Sequence, residues 1–164
     1  MKKLLILRHA KSSWKEPSLS DFQRPLNKRG TEAAPRMGGW IAQNNLVPDT
    51  IVCSTAVRAQ ETMALVIEGG PLDSVCISTE ELYLAPSQAY LENLAQLPEA
   101  QTSAMVIGHN PGIEELVYQL CGEYRVMPTC ALAVIDLQIT QWDELFSASV
   151  SGELRRYILV RDLE

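Results

Sequence analysis

The chain holds two histidines, and each stands at the end of a short apolar run. His9 follows Leu4-Leu5-Ile6-Leu7-Arg8. His109 follows Ala104-Met105-Val106-Ile107-Gly108, and Asn110-Pro111-Gly112 then breaks the strand. A third run, Thr50-Ile51-Val52-Cys53, leads into Ser54-Thr55-Ala56-Val57-Arg58. A lone histidine after a strand is ordinarily a turn or half-buried residue. Two at equivalent strand ends, one beside Arg8 and both accompanied by Arg58 after the third run, permit more. In an open α/β sheet, ligands bind beyond the carboxyl ends of the strands, where residues distant in sequence meet in one crevice.

Two guanidinium groups and two imidazoles in one crevice make a receptor for a tetrahedral dianion. Arginine offers planar, paired donors matched to phosphate oxygens and stays charged. A neutral His9 attacks phosphorus in line, while Arg8, Arg58 and His109 stabilise charge on the equatorial oxygens. The resulting phosphohistidine is then cleaved by water. The neighbouring guanidinium groups are expected to depress the His9 pKa and keep it unprotonated. This chemistry requires no metal and no cofactor, and no HxxxH, HxH or third clustered ligand accompanies the histidines.

At 164 residues the chain is expected to form one domain over positions 1–164 with a sizeable core. Apolar residues at 46% and charged residues at 21% fit a soluble globular protein rather than a disordered one. A net charge of −6 argues against nucleic acid as a partner, so any phosphate site must be locally basic. No apolar stretch approaches the ~20 residues that span a bilayer. The run after Met1-Lys2-Lys3 is too short for a secretory signal, and Cys53, Cys76, Cys121 and Cys130 form no CxxC pair. A cytoplasmic, monomeric protein with reduced thiols is expected, with Cys53 and Cys76 as small buried hydrophobes in strands.

The elements that position these groups follow from periodicity and breakers. Lys2 to His9 reads as a central strand, apolar on both faces. The polar loop from Ala10 to Leu26 carries Ser12, Ser13, Trp14, Lys15, Asp21 and Arg24 and is long enough to form a site rim. Asn27 caps a helix to about Asn45, with Ala33, Met37, Trp40 and Ile41 on its buried face and Pro35 as a kink. After the strand Asp49 to Cys53, Ser54 or Thr55 caps a helix through Glu68 that Gly69-Gly70 ends. Arg58 in its first turn opposes the helix dipole unless an anion is shared there. Further strands are expected at Val75–Ser78, Ala104–Ile107, Ala131–Leu137 and Leu154–Val160, the last after an irregular stretch. Glu80–Leu84 reads as an extended or loop segment. Ser87 caps a helix to Leu97, and Ile113–Cys121 is a helix stopped by Gly122. The order predicts a three-layer α/β/α sandwich around a mostly parallel sheet.

Leu7-Arg8-His9-Ala10 resembles the signature of the histidine phosphatase superfamily, which includes the phosphoglycerate mutases and acid phosphatases. Ser54 through Thr62 is similar to the family's second phosphate-binding element, and Gly108-His109-Asn110 to its second catalytic histidine. The short length, Ala10, Arg24-Pro25-Leu26-Asn27 with Gly30, and Gly108 through Gly112 look most like the SixA-type phosphohistidine phosphatase branch. The resemblance implies a phosphoglycerate mutase-like fold with His9 as nucleophile, Arg8 and Arg58 binding the phosphoryl group, and His109 completing the pocket. Ser12 and Arg24 are further substrate-binding candidates, though a loop hydroxyl and a surface cation would read the same way. Lys15 stands where mutase-like members have a phosphate-contacting Asn. Family members that cleave esters use a carboxylic acid in the segment matching Glu80-Glu81-Leu82-Tyr83, which makes Glu81 the candidate acid and Glu80 the second.

The implied function is a phosphatase acting on phosphohistidine in a protein such as a histidine-containing phosphotransfer domain. A small domain with no lid insertion presents an open pocket, which suits a side chain on a partner protein. The alternatives are a small-molecule phosphomonoesterase or mutase-like enzyme, and a phosphate-binding module without activity. A mutase must seal its intermediate from water, and no segment is spare for that.

Overall fold

The computed structural model describes residues 1–147 and 151–163. Its strands are β1 (Lys2–Arg8), β2 (Thr50–Ser54), β3 (Val75–Thr79), β4 (Ser103–Gly108), β5 (Leu132–Leu137) and β6 (Gly152–Ile158). They form one six-stranded sheet in the order β3-β2-β4-β1-β5-β6. The pairs β2/β3, β2/β4 and β1/β4 are parallel, and β5 and β6 extend the sheet antiparallel. β1 is central because both of its faces are apolar and covered. Leu5 and Leu7 pack in one cluster and Leu4 and Ile6 in the other, as the two-residue strand period requires.

Helices α1 (Lys28–Gln43) and α2 (Val57–Gly69) close the first face through Ala33, Met37, Ile41, Ala59 and Val66. Helices α3 (Ser87–Ala95) and α4 (Gly112–Cys121) close the second through Tyr90, Leu91, Leu94, Ile113 and Leu116. The expected three-layer α/β/α sandwich is therefore present. Asn27 caps α1 as expected, its side chain accepting the Gly30 amide, and the helix continues through Pro35.

Several local expectations are corrected. Ala56, not Ser54 or Thr55, is the residue before α2, because Ser54 is the last residue of β2 and its hydroxyl is bonded elsewhere. Pro86 precedes α3, and Ser87 is its first residue, with no side-chain cap. Within the expected extended or loop segment, Glu80–Leu82 winds into a short 3-10 turn capped by the Thr79 hydroxyl. The final strand begins at Gly152 and ends at Ile158, two residues earlier at each end than expected. Cys53 is buried as expected, but Cys76 is exposed because β3 is an edge strand with exposed residues on both faces. The irregular stretch before β6 includes residues 148–150, which lie outside the described residues. Among the described residues, no helix is long and apolar enough to cross a membrane.

Gly69 and Gly70 do end α2, but their use is close packing. A Cβ on Gly69 would collide with Pro35 of α1, and one on Gly38 of α1 with the Val66 carbonyl of α2. Gly39, one position on, has only the Gly69 carbonyl at 3.7 Å from such a Cβ. Gly38→Ala should therefore destabilise the protein by about 1–3 kcal/mol through overpacking. Gly39→Ala should stabilise it by about 0.5–1 kcal/mol through helix propensity. Urea denaturation of both variants checks the pair; equal effects would contradict this packing.

Candidate active site

The parallel register sets the site. Arg8 of β1 lies opposite Gly108 of β4, and Cys53 of β2 opposite Ile107, so three strands end side by side. His9 and His109 are the next residues of their strands. The His9 amide donates to the Gly108 carbonyl at 3.1 Å, and the two imidazole rings lie 5.1 Å apart at 50°. Gly108 must lack a side chain, because a Cβ there would collide with the Tyr90 phenol. The same phenol oxygen accepts the His109 amide at 3.1 Å and so fixes its backbone.

Each imidazole is held by a hydrogen bond, and that of His9 fixes its tautomer. His9 Nδ1 is 2.8 Å from the Ala10 carbonyl, which can only accept, so Nδ1 carries the proton and Nε2 the lone pair. Arg58 Nε donates toward that Nε2 at 3.4 Å. His109 Nε2 lies 2.8 Å from Ser54 Oγ, which already accepts the Ala56 amide at 3.2 Å. A Ser54 hydroxyl donating to Nε2 leaves the proton of His109 on the buried Nδ1. In that tautomer Nδ1 is a donor with no protein partner among the described residues.

The arginines are braced from behind. Arg8 donates to the Met127 carbonyl at 3.1 Å, which also accepts the Asn110 side-chain amide at 2.9 Å. Arg58, nearly fully buried, donates from its terminal nitrogens to the Asp21 carbonyl at 2.7 Å and to Asp21 Oδ2 at 3.0 Å. Thr62, one turn further along α2, donates to the Arg58 carbonyl and accepts the Ala10 amide, joining the helix to the loop beyond β1. Arg24 uses its donors on Asp21, on Ser12 Oγ at 2.8 Å and on the Ser13 carbonyl, under the Trp14 ring at 3.5 Å.

These side chains line a cavity of about 180 Å³ that includes Arg8, His9, Ser12, Arg24, Arg58 and His109, a volume suited to a phosphoryl-sized group. Burial pushes the His9 pKa down to about 3, with lesser contributions from His109, Arg58 and Arg8. Burial likewise lowers His109 to about 4, reinforced by Arg58. The direction matches expectation, but desolvation is the leading cause and the guanidinium groups are secondary. The hydroxyl of Tyr83, at 2.6 Å, and the two arginines hold the Asp21 carboxyl down at about 2. Both imidazoles are neutral near pH 7, and the arginines supply the positive charge.

The six candidates from the three strand ends and the following loop meet in one cavity. Glu81 does not join them. It is exposed, accepts the Asn93 side-chain amide at 3.0 Å, and is not among the cavity's lining residues. The turn buries Leu82 and turns Tyr83 toward the site, with its ring edge-on to His109 at 5.5 Å, so both glutamates face outward. Lys15 is exposed and also outside the lining, whereas Lys11 is within it. Sequence reasoning left Asp21, Tyr83 and Ser54 without these roles. The available signal was Arg58, whose unopposed charge at a helix start demanded an acid; that acid is Asp21, not a bound anion alone.

The strand-end histidine pair on this sandwich is the arrangement of a histidine phosphatase, and sequence comparison agrees. The profile of the histidine phosphatase superfamily (branch 1) matches residues 4–82. The chain is 30% identical over 143 residues to the phosphohistidine phosphatase SixA of Escherichia coli K12, covering 82% of this chain and 84% of that protein. A solved structure of the protein histidine phosphatase SixA complexed with tungstate superposes with a TM-score of 0.82 at 25% identity, covering 99% of both chains. A 2,3-bisphosphoglycerate-dependent phosphoglycerate mutase of Methylobacterium radiotolerans is 29% identical over 174 residues, covering 99% of this chain and 80% of that protein. The chain belongs to the histidine phosphatase superfamily. Within it, the chain falls in the SixA-type branch.

The depressed imidazole pKa values make a prediction about stability. Between the folded values of about 3 and 4 and the ordinary 6.5, the unfolded chain binds more protons than the folded one. Stability from this source is complete above pH 6.5 and falls as pH drops through that window. Thermal unfolding from pH 7.5 to 4.5 should show this decline, and His9→Gln, which cannot titrate, should flatten it. An equally steep decline in His9→Gln would show that His9 is not held neutral by the fold.

Proposed function

We propose that this chain is a metal-independent phosphatase that removes phosphoryl groups from phosphohistidine side chains of a protein, through a phosphorylated His9. The observation that carries this reading is the His9 tautomer, whose Nδ1 proton is committed to the Ala10 carbonyl and whose Nε2 lone pair faces the guanidinium of Arg58. In the first step Nε2 bonds to phosphorus as the phosphorus–nitrogen bond of the substrate breaks and its imidazole departs. In the second, water bonds to phosphorus, the Nε2–phosphorus bond breaks, and inorganic phosphate leaves. Arg8, Arg58 and the Nδ1 proton of His109 hold the non-bridging oxygens, whose charge they stabilise in the transition state. Ser12 and Arg24 shape the cavity wall; Arg24's donors are largely committed to protein partners.

The leaving group favours this substrate class. An alkoxide needs a positioned acid, and Glu81 is bonded to Asn93 while Asp21 is ionised and held by two arginines. An imidazole that carries a proton leaves neutral without one. The similarity to SixA phosphatases supports the same substrate, with a histidine-containing phosphotransfer domain as partner to a monomeric, cytoplasmic enzyme. The similarity to a phosphoglycerate mutase favours a small phosphate ester as the second reading.

With a chelator present, hydrolysis of a phosphorylated phosphotransfer domain should have a higher kcat/KM than hydrolysis of 3-phosphoglycerate or an alkyl phosphate. Faster ester hydrolysis, or mutase turnover, would reject phosphohistidine in favour of the second reading. His9→Ala should abolish turnover while remaining folded, and acid-labile label from trapped substrate should map to His9 and not His109. Arg58→Ala should lower kcat/KM by on the order of 10²-fold; near wild-type activity would remove Arg58 from the pocket.

A further inference from the structure

Among the described residues, Asp21 is the one carboxylate hydrogen-bonded to the guanidinium groups that line the cavity, and no step of the proposed reaction uses it. Its Oδ1 receives Arg24 at 3.2 Å and 3.1 Å, and its Oδ2 receives Arg58 at 3.0 Å and the Tyr83 hydroxyl at 2.6 Å. Its backbone carbonyl takes the other terminal nitrogen of Arg58 at 2.7 Å. Resting on the reading of the cavity as a phosphoryl site, we propose that Asp21 is a positioning residue that aims Arg58 and whose fixed negative charge keeps the cavity from retaining free phosphate.

The charges around the cavity give the reason. Arg8, Lys11, Arg24 and Arg58 bring four positive charges to its wall, and both histidines are neutral. Asp21 offsets one of them, which brings the sum closer to the two charges of the phosphate dianion. Arg8 and Arg58 are aimed at the reacting oxygens, but surplus charge spread over the wall is not, so it attracts substrate and product phosphate as much as the transition state. Such uniform binding does not speed the chemical step, but it slows the departure of inorganic phosphate. The carboxylate therefore trades affinity for release. It can do so without loosening the site, because the anchor on Arg58 is shared between the side chain and the backbone carbonyl of the same residue.

That division makes the charge separable from the anchor. Asp21→Asn and Asp21→Ser both remove the charge and both keep the carbonyl that holds Arg58. Binding of inorganic phosphate is measured by titration calorimetry at pH 8, with its inhibition of aryl phosphate turnover alongside and circular dichroism to confirm folding. In whichever neutral variant folds, phosphate should bind about tenfold more tightly than to wild type, the lower end of what one neighbouring charge does to an ionic equilibrium. A residue that only braced the loop would weaken binding when removed. Unchanged or weaker binding in the folded neutral variants, with normal binding by wild type, overturns the inference while leaving the phosphatase reading intact. No phosphate binding by wild type or any variant overturns both.

Discussion

The site depends on the parallel pairing of β1 with β4 and of β4 with β2. That register ends three strands at one edge of the sheet, so His9, His109 and Ser54 become neighbours although they are far apart in sequence. Parallel strands need covered crossovers, and the covering helices exclude water from both faces of the sheet. The same burial that stabilises the sandwich also desolvates the two imidazoles. Neutral histidines at the bottom of a cationic cavity are thus a consequence of the fold as much as of the local residues.

Around that edge, the backbone does most of the orienting. The Ala10 carbonyl fixes the His9 tautomer, the Met127 carbonyl holds Arg8, and the Asp21 carbonyl holds Arg58. Carbonyl acceptors bring direction without adding a full negative charge to the site. Asp21 is the exception, and its charge is shared by two arginines and a phenol. Tyr83 links the carboxylate to His109, since its ring stands edge-on to both Phe22 and His109 while its hydroxyl meets Asp21.

The strands and the core helices were legible because their apolar periods differ and their breakers are unambiguous. Arg8, His9, Arg58 and His109 were legible because strand-end chemistry is local: each sits within five residues of an apolar run. Asp21 and Tyr83 were not, since what brings them together is the path of the 10–26 loop against the turn at Glu80–Leu82, and loop paths leave no periodic trace in sequence. Glu81 illustrates the same limit. The winding of the segment into a 3-10 turn decides which side chain faces the site, and neither composition nor resemblance fixes that winding. The helix-start reading of Arg58 was half right. The unopposed cation did require an anion, and the protein supplies a carboxylate of its own.

The central claim is that the fold presents His9 as a neutral imidazole with its lone pair on Nε2. Long-range nitrogen–proton correlation spectra of the ¹⁵N-labelled protein at pH 7, assigned by comparison with His9→Gln, read this directly. His9 should show a protonated Nδ1 and an unprotonated Nε2, and the pattern should persist on acidification well below pH 6.5. A proton on Nε2, or an imidazolium at neutral pH, would contradict the account at its base.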